Sequence, residues 1–261
     1  MTNLIPMAGE GARFLKEGYK DPKPLIDISG KPMILQAAAA LPRSDRWVFV
    51  CRKEHINKYR IDRTLKEAFP NSAIIEVDHL TKGQACTCLL AEPYLKADEP
   101  LLIGACDNGA IWDKEKYFDI IEKERVDALI WTFRNNVTVQ RKPKMYGWVE
   151  VDAGNNALRI SCKIPISDEP VRDHAIIGTF YFRRAGFFID AAKQMIAANR
   201  SVNNEFYVDT MMNELIEAKL KVKVFEVDKY ICWGTPDDVR TYNYWENYFN
   251  KILARSSETA R

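Results

Sequence analysis

Residues 9–13 read Gly-Glu-Gly-Ala-Arg, directly after the apolar run Leu4-Ile5-Pro6-Met7-Ala8. Glycines leave the backbone free to take positive φ and let another group come close. A run of free N–H groups in such a loop makes an anion cradle. Arg13 adds a cation able to reach phosphate oxygens. Two familiar glycine loops do not fit. The dinucleotide fingerprint needs a third glycine where Phe14 stands, and the P-loop's Gly-Lys-Ser/Thr is missing. Ten residues on from Arg13, Lys23 lies between Pro22 and Pro24. The prolines stiffen the segment and lower the cost of presenting the ammonium. Further along, Leu101–Cys106 is an apolar run ending in Asp107. An acidic residue at the carboxyl end of a central parallel strand stands where open α/β sheets place ligands. A phosphate cradle, two cations and a carboxylate are the parts that phosphate-transfer chemistry uses.

These residues need elements to position them. Short apolar runs recur at Asn3–Met7, Trp47–Cys51, Ala73–Val77, Pro100–Cys106 and Asp127–Phe133. They are continuous rather than alternating, as for strands covered on both faces. Helical stretches are expected between them at Pro32–Leu41, Lys53–Phe69, Gly83–Leu95 and Lys114–Glu124. The alternation predicts an α/β fold, a mostly parallel sheet flanked by helices with right-handed crossovers. The second half differs. Strands are expected at Gly147–Val151, Ala175–Phe182 and Val222–Val227, with a turn at Asp152–Asn156. Helices are expected at Ala185–Ala198, Asn204–Leu220 and Pro236–Leu253. This part reads as α+β, with no flexible linker before it. The expectation is one domain over 1–253, with halves 1–135 and 136–253, and a polar tail at 254–261.

The chain has 261 residues, 47% apolar and 28% charged, with a net charge of +2. That balance gives no reason to expect nucleic acid as a partner. The six cysteines form no CxxC pair, and the three histidines no zinc spacing. Reduced thiols in a cytoplasmic protein are the expectation. The N-terminus has no basic-then-apolar signal pattern, and no run is long enough for a membrane helix.

The stretch MAGEGARF followed by YKDPKPLI resembles the signature of the nucleotidyltransferases that make nucleoside-diphosphate sugars. The resemblance implies a glycosyltransferase-A-like sheet and attack of an acceptor phosphate on the α-phosphorus of a nucleoside triphosphate. It implies that Met7, Ala8, Gly9, Glu10 and Gly11 bind the nucleotide, with Gly83 and Gln84 from the segment Thr81–Ala85. Arg13 and Lys23 become the catalytic cations, and Asp107 a ligand of Mg²⁺. On the acceptor side, Tyr146, Gly147, Lys163 and Glu205 resemble the family's sugar-phosphate contacts. Cys162 stands where members usually carry Glu. Cys232-Trp233-Gly234-Thr235-Pro236-Asp237-Asp238 resembles a stretch that, in many members, has a second metal Asp at the place of Cys232. Asp228 is the expected substitute.

The resemblance runs over roughly residues 3–245 and does not include a C-terminal left-handed β-helix. The leading expectation is a sugar-1-phosphate nucleotidyltransferase, releasing an NDP-sugar and pyrophosphate. A cytidylyltransferase with a non-sugar phosphorylated acceptor stays open. For it, Trp112, Trp131, Trp148 and Trp233 are candidates for a box around a cationic group. A glycosyltransferase or a regulatory nucleotide-binding module on the same fold stays open too, as does a homodimer.

Overall fold

Continuous apolar runs build the sheet. In the computed structural model, which describes residues 1–259 and side chains through residue 253, it has nine strands. They are β1 (Thr2–Met7), β2 (Arg46–Arg52), β3 (Ala73–Val77), β4 (Leu101–Ile103), β5 (Ala128–Phe133), β6 (Gly147–Val151), β7 (Ala157–Cys162), β8 (His174–Phe182) and β9 (Val222–Glu226). The order along the sheet is β7-β6-β8-β4-β1-β2-β3, with β5 lying against β8 and β9 against β5. The strands β4, β1, β2 and β3 are parallel, as the β-α alternation requires. Successive strand residues face opposite ways. Accordingly Leu4, Val48 and Val50 enter one apolar cluster, and Ile5, Met7, Phe49 and Cys51 another. The sheet is therefore covered on both faces, which is why its strands read as unbroken apolar runs.

The second half does not stand apart from this sheet. β8 runs antiparallel to β4, pairing Phe180 with Ile103, and antiparallel to β5, pairing Phe182 with Ala128. Its register shifts between Ile176 and Phe180, around Gly178 at φ 84°. A bulge there bends the strand.

Several expected boundaries move for local reasons. The apolar run from 100 to 106 is a strand only to Ile103, with Gly104 packed against the Leu41 and Ile5 methyls. The Lys53–Phe69 helix is two helices, Lys53–Tyr59 and Ile61–Ala68, broken where Arg60 takes φ 55°. The helix expected from Asn204 starts at Val208, because Phe206 uses its backbone elsewhere. The last helix is bounded by Pro236–Thr259, and the tail expected at 254–261 lies outside the residues whose side chains are described. Among the described residues no helix is long and apolar enough to cross a membrane.

Candidate active site

The carboxyl end of β1 opens on a cleft of about 500 Å³. Ala8, Gly9, Glu10, Gly11 and Arg13 form one wall; Gly83, Gln84 and Glu205 line another. Met7 is different: its side chain is buried in the core, so only its backbone borders the loop. Gly11 takes φ 64° and starts the short helix Ala12–Lys16. A Cβ on Gly11 would stand 3.2 Å from the Lys23 Cβ. Loop and lysine are thus in contact, which explains why both occur together in the sequence. The Phe14 side chain is buried beneath the loop, 5.8 Å from the Lys23 ammonium.

Lys23 follows Pro22 into a single 3-10 turn, Lys23–Leu25. Its ammonium is ion-paired with Oδ2 of Asp107. Burial works against the charge, but the charge and hydrogen bond of Asp107, with Cys106 and Cys232 nearby, together outweigh it, and the Lys23 pKa is held above its ordinary value. The ammonium therefore stays charged at every pH at which the fold is ordinarily studied.

Asp107 is placed by a two-stranded ribbon that sequence reasoning missed. Asn108–Ile111 pairs antiparallel with Lys229–Cys232, with Cys232 opposite Asn108. The buried Asn108 amide donates to the Ile177 carbonyl at 2.7 Å, and the Trp233 N–H donates to the Asp107 carbonyl at 2.9 Å. The ribbon brings Gly234, Thr235 and Asp238 beside Asp107. Asp228 goes the other way. Its N–H bonds to Ile111 at the far end of the ribbon, and its side chain is exposed. Cys232 lies four positions further along the strand, roughly 13 Å away. The structure does not bring Asp228 to Asp107. Burial pushes the Cys232 thiol up to about 12, helped by Asp238 and Asp107, so it is a protonated donor rather than a thiolate.

A second cleft, about 740 Å³, adjoins the first and shares Arg13, Lys23, Gln84 and Gly234 with it. Tyr146, Gly147 and Lys163 line it, together with Asp107 and Asp209. Lys163 takes φ 65°, unusual for a side chain of its size, and is fixed from three directions. Its N–H bonds to the Tyr146 carbonyl at 3.0 Å, its Nζ to the Met145 carbonyl at 3.1 Å, and the ammonium sits 5.2 Å from the Tyr207 ring centre. Burial raises the Tyr146 hydroxyl to about 12, with Cys232 and Asp238 adding to the effect, so it remains a donor. Gly147 leaves room for Asp209, whose Oδ2 occupies the space a Cβ would need. Burial also holds the Asp209 carboxyl above the usual carboxylate range. Arg141, Lys142 and Asp238 line this cleft as well and were not singled out from the sequence.

Two expectations change. Glu205 lines the first cleft beside Gly83 and Gln84, not the second. The cause is a backbone clamp: Phe206 N–H donates to Lys82 at 2.8 Å, and Ala85 N–H donates to Phe206 at 2.9 Å. The tryptophan box does not form either. Trp131, Trp148 and Trp233 are buried, and the Trp112 indole donates to the Ala40 carbonyl at 2.7 Å within the same aromatic core. The clamp predicts one strong stability effect. Gly83 has φ 117°, and a Cβ there would stand 2.5 Å from the Phe206 nitrogen. Gly83→Ala is expected to destabilise the chain by about 3 kcal/mol, read as the shift in a urea midpoint at constant slope.

The profile of the nucleotidyl transferase family matches residues 2–247. The chain belongs to this family. The bifunctional protein GlmU of Methanococcus maripaludis is 24% identical over 265 residues, covering 98% of this chain and 56% of GlmU. The chain thus spans little more than half the length of that curated relative. Among solved structures, a nucleoside-diphosphate-sugar pyrophosphorylase from Vibrio cholerae RC9 superimposes with a TM-score of 0.74 at 20% identity, over 92% of this chain and 98% of the other. The inositol-1-phosphate CTP transferase of T. maritima gives 0.69 at 15%, over 93% of each. The fold is the one these nucleotidyltransferases share, and the chain is a nucleotidyltransferase.

Members of this family generally use a divalent metal. The residues present fit one of the hard, oxygen-seeking kind. Asp107 offers carboxylate oxygens at the junction of the two clefts. Among the described residues no group of three or more His, Cys, Asp or Glu side chains gathers as a closed cage. A site with few protein oxygens suits Mg²⁺, which keeps waters and shares phosphate ligands.

Proposed function

We propose that this nucleotidyltransferase joins a nucleoside triphosphate to a sugar 1-phosphate, giving an NDP-sugar and pyrophosphate. The observation that carries this reading is the Lys23–Asp107 pair at the junction of two clefts. One cleft is walled by the glycine loop, the other by Tyr146, Gly147 and Lys163. Such a transfer needs positioning and charge neutralisation rather than a covalent intermediate. The amides of residues 9–13 hold the β- and γ-phosphates. Arg13 and Lys23 offset charge at the α-phosphorus and on the leaving pyrophosphate. Gln84, with both donor and acceptor atoms, and Gly83 meet the nucleoside. Lys163 holds the acceptor phosphate for in-line attack. Asp107 would hold Mg²⁺, which supplies charge neutralisation for the triphosphate and the incoming phosphate.

The sheet shared by both halves supports one domain over 1–253, with 1–135 serving the nucleotide and 136–253 the acceptor. Six free thiols support a reducing, cytoplasmic setting. A second reading, a cytidylyltransferase with a non-sugar acceptor, draws on Cys162. A thiol there lacks the carboxylate that would accept bonds from a sugar hydroxyl.

The test is to incubate the protein with Mg²⁺, each NTP and a panel of phosphorylated acceptors, and to measure pyrophosphate. Release with a sugar 1-phosphate supports the first reading. Release only with CTP and a non-sugar phosphate supports the second. No release with any combination would sink both. The position of Glu205 adds a finer expectation. Glu205→Ala should raise KM for the nucleotide about tenfold while leaving the acceptor's within twofold, as for loss of a ground-state contact. The reverse pattern would return Glu205 to the acceptor side.

A further inference from the structure

We propose that Asp238 is the second carboxylate of the metal site, facing Asp107 across Gly234. The inference rests on the metal-dependent transfer reading above and names a ligand that reading lacks. Three observations carry it. First, the two carboxylates border the same backbone position. Oδ2 of Asp107 and Oδ2 of Asp238 lie 3.5 Å and 3.8 Å from the point where a Cβ on Gly234 would stand. Glycine keeps that point bare, so both oxygens face the same stretch of backbone in the second cleft. Second, the place already attracts positive charge, since the Lys23 ammonium sits on Asp107. Third, Asp238 has no basic partner among the described residues, whereas its neighbour Asp237 is ion-paired with Arg240. A half-buried carboxylate without a cation is costly unless hydrogen bonds or a metal compensate.

Asp238 also has structural bonds. Its Oδ2 accepts from Thr235 Oγ1 at 2.6 Å and from the Cys232 thiol at 3.5 Å, and its N–H donates to Thr235 Oγ1 at 3.2 Å. These cap the last helix and aim the carboxylate at Gly234. They do not neutralise it. Cys232 itself is the wrong chemistry for Mg²⁺, a hard cation that takes oxygen. Oδ1 of Asp238 is engaged in none of these bonds.

Mn²⁺ binding to the full chain tests this without turnover, with free Mn²⁺ counted by electron paramagnetic resonance. Asp238→Asn is expected to weaken Mn²⁺ at least fivefold, and Asp107→Asn likewise. Adding Cys232→Asp to Asp238→Asn should restore affinity to within threefold of wild type, because it returns a carboxylate to the same side of Gly234. A purely capping role for Asp238 would move the thermal midpoint but not Mn²⁺ affinity, and the second substitution would not repair it. Iron-mediated cleavage of the unmodified protein gives a check independent of variant folding. Fe²⁺ with ascorbate and peroxide should cut both 104–109 and 232–238. If Asp238→Asn binds Mn²⁺ within fivefold of wild type while Asp107→Asn does not, or if cuts fall at 104–109 alone, the inference is wrong and the transfer reading stands. If wild type takes up no Mn²⁺, the inference and the metal part of that reading fall together.

Discussion

Lys23→Ala is expected to lower the rate of pyrophosphate release by about 100-fold or more, about 2.7 kcal/mol of transition-state stabilisation. The size follows from how the ammonium is held. Pro22 and Pro24 fix the backbone on either side, and the 3-10 turn Lys23–Leu25 adds a second restraint. Contact with Gly11 ties the lysine's stem to the phosphate loop. The charge therefore needs no reorganisation when negative charge builds on the α-phosphorus, which is where preorganised donors have their largest effect. Arginine should not substitute, because a planar fork does not reproduce the compact ammonium paired with Asp107. The loss should fall on kcat more than on KM. A Lys23→Ala variant within threefold of wild type would remove the catalytic role.

The raised pKa of Lys23 also has a sign for stability. A lysine whose folded value exceeds its unfolded value of 10.5 stabilises the fold fully below pH 10.5 and loses that contribution as pH rises through the folded value. No Lys23 transition is therefore expected in the stability of wild type through the neutral range.

The parallel half of the fold was legible because its central strands are buried on both faces, and burial writes itself as unbroken apolar runs such as WVFVC. The glycine loop and Asp107 stand out in the sequence because each follows such a run, and Lys23 because prolines flank it. The ribbon of Asn108–Ile111 with Lys229–Cys232 was not. Its strands are short, its exposure mixed, and its partners lie more than a hundred residues apart, so no local period marks it. Without the ribbon, Asp228 is the nearest acidic residue to an apolar strand end. The pairing register puts Asp228 at the open end of the ribbon, and the turn into the last helix puts Asp238 beside Gly234. Glu205 was misplaced for a similar reason. A capping pattern near residue 204 is readable from sequence, but the Phe206 clamp to Lys82 and Ala85 is long-range backbone pairing. The tryptophans illustrate the opposite error. Nearness in sequence to site segments says nothing about which face of a strand a side chain takes, and Trp131 and Trp148 point into the core.

Asp107→Ala should match Lys23→Ala in rate and differ from it in pH dependence. Loss of the carboxylate removes the oxygen that would hold the metal, and about 100-fold or more in kcat is expected to go with it. It also strips Lys23 of its partner. Two opposed influences set the lysine's pKa: burial, which lowers it and is the larger single influence, and the charges beside it, Asp107 foremost, which raise it. With Asp107 gone, burial is left largely unopposed, and the Lys23 pKa must fall. The residual activity of Asp107→Ala should therefore decline as pH rises, over a range where wild type is flat. Asp107→Asn should behave alike in both respects, since the amide keeps the shape but not the charge. Measuring kcat from pH 6 to 10 for wild type and both variants separates the two roles. A large loss of rate with an unchanged pH profile would leave Asp107 as a metal ligand but end its part in charging Lys23. A shifted profile with near-normal rate at neutral pH would do the reverse. Only the two together place one carboxylate at the meeting point of the metal, the lysine and the triphosphate.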